Sequence, residues 1–220
     1  GTDVTAALAV LQGMGISAFG LNCSAGPEQM LVHLKRLREF ARVPLIAKPN
    51  AGMPQIVDGK TVYDCPPDEF VALVGEMLDA GVAVFGGCCG TTGEHIAALA
   101  NALDGAGFVR PAPEHGDMLP ASTEKDPMYL AKHGKVLSVT NELEDTLSDA
   151  LDTDDAMIAI KLSGWDDVDI FADCQYMINK PLCLVCDDAD VLDSALRVYQ
   201  GRALYEGGLT EEELKDLAGK

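Results

Sequence analysis

Residues 82–96 constrain the fold more than any other part of the sequence. An apolar, β-branched run at 82–85 enters Gly86-Gly87-Cys88-Cys89-Gly90, and an apolar helical pattern follows. Successive side chains of a strand point to opposite faces, so two adjacent cysteines cannot both enter one apolar core. The glycines permit a sharp bend, where both thiols can lie together at the carboxyl end of a strand. A tight turn with two small residues, or a vicinal disulfide, fits this segment equally well.

A second strand-like run, residues 16–22, also ends in a thiol. Cys23 follows it and precedes the polar turn Ser24-Ala25-Gly26-Pro27. The interval between Cys23 and Cys88 is long enough for two β/α units of ordinary length. Because the carboxyl ends of parallel strands share one edge, we expect the thiols of Cys23, Cys88 and Cys89 to meet there. Three thiolates suit zinc, and a site with three protein ligands keeps its fourth position for a substrate, as catalytic zinc sites do.

Three motifs in this part of the chain carry a family resemblance. They are Gly20-Leu21-Asn22-Cys23-Ser24, Lys48-Pro49-Asn50-Ala51-Gly52-Met53-Pro54 and Gly86-Gly87-Cys88-Cys89-Gly90-Thr91-Thr92. In this order and spacing they resemble successive signatures of the homocysteine S-methyltransferase family, over about residues 1–105. The resemblance implies zinc ligation by Cys23, Cys88 and Cys89. Family members have several strands before this point, so it also implies that the chain begins in the later part of a (β/α)8-type barrel.

The function implied by the resemblance is zinc-dependent transfer of a methyl group to the thiol of homocysteine, giving methionine. We expect the chain to act within a corrinoid-dependent enzyme of the methionine synthase type, with methylcobalamin on another domain or chain as the donor. A methylated amino acid and betaine stay open as donors. Two other functions also stay open: a catalytically incomplete fragment that binds zinc or docks a partner, and a thiol redox protein that uses Cys88 and Cys89.

Three further polar residues near these motifs are candidates for a role. Asn50 lies in a rigid loop after the strand-like run 44–48, so it is predicted to donate a hydrogen bond to a substrate carboxylate, with a plain turn as the alternative. His95 either supports the thiols from the following helix or is structural. Cys65 precedes two prolines, away from any strand end, and is interpreted as structural. No catalytic residue is predicted beyond the metal site.

Composition excludes several classes of function. The formal net charge is −19, which argues against nucleic acid or an anionic membrane as a partner. No apolar run approaches the length of a membrane span, and the first residues lack a basic-then-apolar targeting pattern. The seven cysteines lie mainly in strand-like runs rather than at the spacings of a secreted disulfide scaffold. These features predict a reducing, cytoplasmic setting.

The chain is predicted to be α/β with parallel strands, in two portions. Residues 1–104 form the later β/α units of the barrel, and residues 105–134, interrupted by glycine and proline, form a linker. Residues 135–220 form a second, smaller α/β portion, with strands near 136–140, 157–162, 182–186 and 203–205. Cys183 and Cys186 lie in one of these strands and would face opposite sides, which argues against a zinc or redox pair.

Overall fold

A computed structural model describes residues 2–108, 120–123, 125, 127–129 and 134–218. Its helices are α1 (Val4–Gly13), α2 (Pro27–Arg38), α3 (Pro67–Val71), α4 (Val74–Asp79), α5 (Gly93–Leu103), α6 (Leu143–Leu151), α7 (Trp165–Cys174), α8 (Ala189–Val198) and α9 (Glu211–Ala218). Its strands are β1 (Phe19–Asn22), β2 (Leu45–Lys48), β3 (Gln55–Val57), β4 (Lys60–Val62), β5 (Val82–Phe85), β6 (Ala121–Ser122), β7 (Pro127–Met128), β8 (Val136–Ser138), β9 (Ile158–Lys161), β10 (Leu182–Val185) and β11 (Leu204–Glu206). Among the described residues, no helix has the length and apolar character that crossing a membrane requires.

The chain forms two compact units, residues 16–116 and residues 1–15 together with 117–220. Each unit contains an open, parallel sheet, and short helices alternate with its strands. The predicted α/β class with parallel strands is therefore confirmed. The domain limits predicted from the sequence, 1–104 and 135–220, stay predictions.

The sheet of the first unit has the order β1-β2-β5, which is also the order of these strands along the chain. Phe19 pairs with Leu45 at the start of β1 and β2, and Asn22 pairs with Lys48 at their carboxyl ends. Alternation of side chains buries Leu45 completely on one face. Val84, on the other face, is 49% exposed. All three strands run in the same direction, so their carboxyl ends form a single edge.

Residues 67–79 form two short helices, α3 and α4, and not one continuous helix. The α-helical hydrogen bonding stops after Val71 and resumes at Val74, with Leu73 at φ −102° and ψ 9°. Because of this break the two short helices can pack on different neighbours. Helix α3 lies against α5, whereas α4 contacts α2 and β5.

A hairpin of β3 and β4 follows the loop after β2. Its turn residues, Asp58 at φ 51° and Gly59 at φ 73°, are both left-handed, as a two-residue type I′ turn requires. All residues of the two strands are exposed, and the hairpin leads directly into Tyr63.

The second unit contains the sheet β8-β9-β10-β11, again in chain order and parallel throughout. The four strands predicted for this region are confirmed. One face of the sheet and helices α6, α7 and α8 share a core whose largest fully buried members include Phe171, Leu182 and Leu184. Cys186 belongs to this core, and Cys183 belongs to a small cluster on the opposite face, as the alternation predicts.

Helix α1 and the β6–β7 pair also belong to the second unit. Asp3 caps α1 by accepting a 2.9 Å hydrogen bond from the Thr5 amide. Ser122 and Arg202 exchange backbone hydrogen bonds of 2.9 Å in both directions. Most of the predicted linker, residues 105–134, lies outside the described residues. Within it, Ala121 and Ser122 are fully buried.

Candidate metal centre

Cys23 is the first residue after β1, and its backbone is in an unusual conformation. Its amide donates to the Lys48 carbonyl at 3.0 Å, which extends the parallel pairing by one residue. Cys23 and Ser24 then adopt φ values of 60° and 61°. Non-glycine residues in this left-handed region are uncommon and cost about 1 kcal/mol each. The bend turns the chain at the sheet edge, and the thiol of Cys23 lies at this edge.

Cys88 and Cys89 lie in the bend after β5, beyond Gly86 and Gly87. The Cys88 amide donates to the Pro49 carbonyl at 2.9 Å, and the Cys88 carbonyl accepts from the Thr91 hydroxyl at 2.7 Å. A Cβ atom on Gly87 would lie 2.5 Å from the Thr91 side chain, so only glycine fits this tight bend. The predicted glycine turn therefore brings both adjacent thiols to the end of β5.

Asn50 joins the two cysteine-bearing loops. Its side-chain oxygen accepts a hydrogen bond from the Cys89 amide at 3.1 Å. Its own amide donates to the Ala25 carbonyl at 2.9 Å, and the side chain is only 3% exposed. Contact of Asn50 with a substrate stays a prediction, since the contacts seen here are with the thiol-bearing loops.

The three predicted thiols come together. One sulfur atom from each of Cys23, Cys88 and Cys89 lies within 4.8 Å of the others, and Cys23 Sγ is 3.6 Å from Cys89 Sγ. With Zn–S bonds near 2.3 Å, a regular tetrahedral site places two sulfur atoms about 3.8 Å apart. None of the seven cysteines is in a disulfide. The donor set and its spacing therefore fit a zinc ion with small adjustments of the side chains.

The thiols differ in acidity because they share protons and hydrogen bonds. The pKa of Cys23 is lowered, first by the hydrogen bond from the Ser24 backbone and then by those of the Cys89 and Cys88 side chains. The pKa of Cys89 is raised, mainly because its hydrogen bond with Cys23 leaves the proton on Cys89. Without a metal, Cys23 is thus the first of these two thiols to ionise.

Tyr63 was not predicted to take part in this site. The pKa of Tyr63 is raised, chiefly by the neighbouring Cys89 side chain. Gly90, with φ 79°, leaves space for the tyrosine ring, which a side chain at 90 would overlap. One feature of the sequence indicates this arrangement. The Asp58-Gly59 turn reverses the chain direction, so Tyr63, shortly after it, returns towards the strand ends.

His95 and Cys65 take structural positions beside the cluster. His95 Nδ1 accepts from the Thr92 amide at 3.2 Å, and Nε2 lies 2.9 Å from the Cys65 carbonyl and donates to it. Both ring nitrogens are therefore engaged away from the three thiols. Cys65 lies outside the cluster, and its sulfur is 3.8 Å from the Pro66 carbonyl. The interpretation of Cys65 as structural agrees with these contacts.

Comparison with known proteins agrees with this geometry. The sequence model of the family described as homocysteine S-methyltransferase matches residues 1–103, which include every residue of the sulfur cluster. This part of the chain is therefore similar to the homocysteine S-methyltransferase family. The resemblance predicted from the three motifs is thereby confirmed.

Two methionine synthases are among the relatives. The protein from Mycobacterium leprae (strain TN) is 42% identical over 104 residues, and that from Mycobacterium tuberculosis (strain ATCC 25618 / H37Rv) is 40% identical over 104 residues. Each match covers 47% of this chain and 9% of the relative. The likeness to these two methionine synthases therefore concerns about half of this chain and a small part of each relative.

Proposed function

We propose that this chain carries the site at which a methyl group is transferred to the thiol of homocysteine, with Cys23, Cys88 and Cys89 as ligands of a catalytic zinc ion. The observation that carries the proposal is the gathering of three sulfur atoms within 4.8 Å at one sheet edge. The similarity of residues 1–103 to this family supports the choice of homocysteine as the substrate.

The chemistry assigns separate tasks to the metal and to the chain. Bound to three thiolates, zinc would supply the Lewis acidity that ionises a substrate thiol near neutral pH, where a free thiol with a pKa of about 8.5 is mostly protonated. The chain contributes Cys23, whose pKa is lowered, and backbone hydrogen bonds that fix the loop of Cys88 and Cys89. The ionised homocysteine sulfur attacks the methyl carbon, the new S–C bond forms, and the donor keeps the electron pair of the bond that breaks.

The methyl donor belongs to the same proposal. We favour methylcobalamin carried by another domain or chain, because relatives named methionine synthase are far longer than the matched segment. Methionine is then the product. A methylated amino acid or betaine would serve the same sulfur nucleophile, since each can present an electrophilic methyl group.

We propose that β1, β2 and β5 are consecutive strands of a (β/α)8-type barrel. Their order along the chain equals their order in the sheet, as barrel closure requires. The half-exposed Val84 lies on the face that would line the barrel interior. On this proposal residues 1–104 are later β/α units, 105–134 a linker and 135–220 a second α/β portion.

Metal analysis of the purified full chain tests the zinc site. After loading with Zn²⁺ and desalting, we expect one zinc per chain, and its loss on replacing Cys23, Cys88 or Cys89 singly by serine. Cys65→Ser is the matched control, because Cys65 is in the same unit and outside the cluster. It should keep one zinc per chain. Retention of zinc by all three cluster variants would contradict the assignment.

The same preparation separates the two alternatives. A chain that binds no zinc and forms a Cys88–Cys89 disulfide on mild oxidation would be a thiol redox protein. A chain that binds zinc but shows no calorimetric signal with homocysteine would be an incomplete or partner-docking fragment. The seven free thiols are in keeping with the reducing, cytoplasmic setting that we propose for the chain.

A further inference from the structure

The bend that carries Cys88 and Cys89 is held by the loop after β2, residues 49–51. The Cys88 amide donates to the Pro49 carbonyl at 2.9 Å, and the Ala51 amide donates to the Cys89 carbonyl at 2.9 Å. Both hydrogen bonds join backbone atoms, so they fix the course of the bend relative to the loop. The positions of the two thiols therefore depend on what holds Ala51 in place.

Cys65 and His95 hold Ala51 from the other side. The Cys65 amide donates to the Ala51 carbonyl at 3.1 Å. The Cys65 carbonyl accepts from His95 Nε2 at 2.9 Å, and His95 Nδ1 accepts from the Thr92 amide at 3.2 Å. Thr92 follows Cys89 by three residues, so these contacts close a hydrogen-bond circuit that starts and ends in the thiol-bearing bend. Within this circuit, His95 is the one residue that acts through its side chain.

The circuit selects one tautomer of His95. The Thr92 amide can only donate, so Nδ1 must offer a lone pair, and the Cys65 carbonyl can only accept, so Nε2 must carry the proton. The Thr92 hydroxyl, 2.9 Å from Nδ1, can donate to the same lone pair. The residue is 7% exposed, and its ring packs edge-on against Phe70 with the ring centroids 5.4 Å apart. The imidazole is thus held in one orientation.

We propose that His95 is a positioning residue for the metal site. Through Nε2 and Cys65 it fixes the loop after β2, and through that loop it fixes the bend of Cys88 and Cys89. The inference rests on the proposed function, because both cysteines are taken there as zinc ligands. Groups that orient metal ligands change metal affinity by about 10- to 100-fold when altered, and since His95 acts through backbone contacts we expect the lower end, about tenfold.

Two variants of the full chain separate the two contacts of the imidazole. In His95→Gln the side-chain amide can still donate to the Cys65 carbonyl, whereas the acceptor for the Thr92 amide is lost. In His95→Asn the side-chain oxygen can still accept from the Thr92 amide, whereas the donor to Cys65 is lost. In competition with a chelator, we expect Zn²⁺ affinity to fall about tenfold in His95→Asn and to stay near the wild-type value in His95→Gln.

Co²⁺ in place of Zn²⁺ reports the geometry of the site. We expect the ligand-field bands of Co²⁺-loaded His95→Asn to shift, because the bend no longer holds its two sulfur atoms at the same angles to the metal. The bands of His95→Gln should match those of the wild type. A role in packing or in capping α5 alone would not produce this order of the two variants.

His33→Asn is the matched control. His33 lies on α2 in the same unit, and its Nδ1 has no hydrogen-bond partner in the part of the chain that the structure describes. The control should keep wild-type affinity and bands. Wild-type behaviour of His95→Asn would overturn this inference while the zinc site stands. A loss in His95→Gln as large as that in His95→Asn would assign His95 to packing or capping and overturn it as well.

The unaltered chain offers a test that does not depend on the folding of a variant. Long-range ¹H–¹⁵N NMR near neutral pH should show the imidazole of His95 with its proton on Nε2 and none on Nδ1. A proton on Nδ1 would contradict the hydrogen-bond circuit and overturn the inference, whatever the zinc content. A wild-type chain that binds no Zn²⁺ would overturn the proposed function and this inference together.

Discussion

Replacing Asn50 by alanine should loosen the link between the two cysteine-bearing loops, even without a metal. The side-chain oxygen of Asn50 accepts the Cys89 amide at 3.1 Å, and the residue is 3% exposed. The lost hydrogen bond is worth about 1 kcal/mol net, and an amide left without a partner at a partly buried site adds about 1 kcal/mol more. We therefore expect the free energy of unfolding to fall by about 2 kcal/mol. For a chain of this size that corresponds to a Tm lower by about 4–8 °C.

The assay uses the metal-free chain, so that metal affinity does not enter the result. Urea unfolding followed by circular dichroism measures the change in free energy, and amide hydrogen exchange at Cys89 reports the lost bond directly. Asn101→Ala is the control, because Asn101 is exposed on α5 in the same unit. Its free energy of unfolding should change by no more than about 0.5 kcal/mol.

The reasoning about Asn50 fails if Asn50→Ala resembles this control. A change below about 0.5 kcal/mol, with unchanged exchange at the Cys89 amide, would mean that the loops hold their positions without the asparagine. If the Cys89 amide loses its exchange protection while the free energy of unfolding hardly changes, the hydrogen bond exists but contributes less to stability than assumed.

Three further predictions concern acidity, backbone and core. In the metal-free chain, the rate at which iodoacetamide alkylates Cys23 should reach its plateau at a lower pH than the rate for an ordinary thiol, because the pKa of Cys23 is lowered. Cys183, whose pKa burial raises to about 11, should react most slowly in peptide mapping. Gly90→Ala should destabilise the chain by about 1–3 kcal/mol in urea unfolding, because φ at Gly90 is 79° and the Tyr63 ring blocks the space for a side chain. Gly93→Ala is the control and should hardly change the free energy of unfolding, because a side chain at 93 meets open space. Phe171→Ala, at a fully buried site, should cost about 3–5 kcal/mol by the same measurement, and a loss under about 1 kcal/mol would contradict the assigned core.

The proximity of the three thiols could be predicted because it depends on the direction of the strands and not on the detailed path of the loops. Strand-like runs that alternate with helical patterns favour parallel strands, and parallel strands have their carboxyl ends at one edge. Cys23 and the Cys88-Cys89 pair each follow such a run, so the parallel topology places their thiols close together. The same alternation rule correctly separated Cys183 from Cys186.

The contacts that support the thiols could not be predicted from periodicity. The hydrogen bond from the Cys89 amide to the Asn50 side-chain oxygen depends on the path of the loop after β2, which the sequence pattern does not show, and the predicted contact of Asn50 with a substrate stays a prediction. The position of the Tyr63 ring beside Gly90 depends on a hairpin that folds back to the sheet edge. The break after Val71 separates α3, which packs against α5, from α4, which contacts α2 and β5 as well as α5, and the periodicity of the sequence does not reveal this break.

Zinc-edge X-ray absorption with and without homocysteine tests the central claim most directly, because it counts the sulfur atoms around the metal. We expect three sulfur neighbours near 2.3 Å in the zinc-loaded chain and a fourth after homocysteine is added. A first coordination shell that already holds four protein ligands and does not change with homocysteine would contradict the account, since a closed site of that kind is structural.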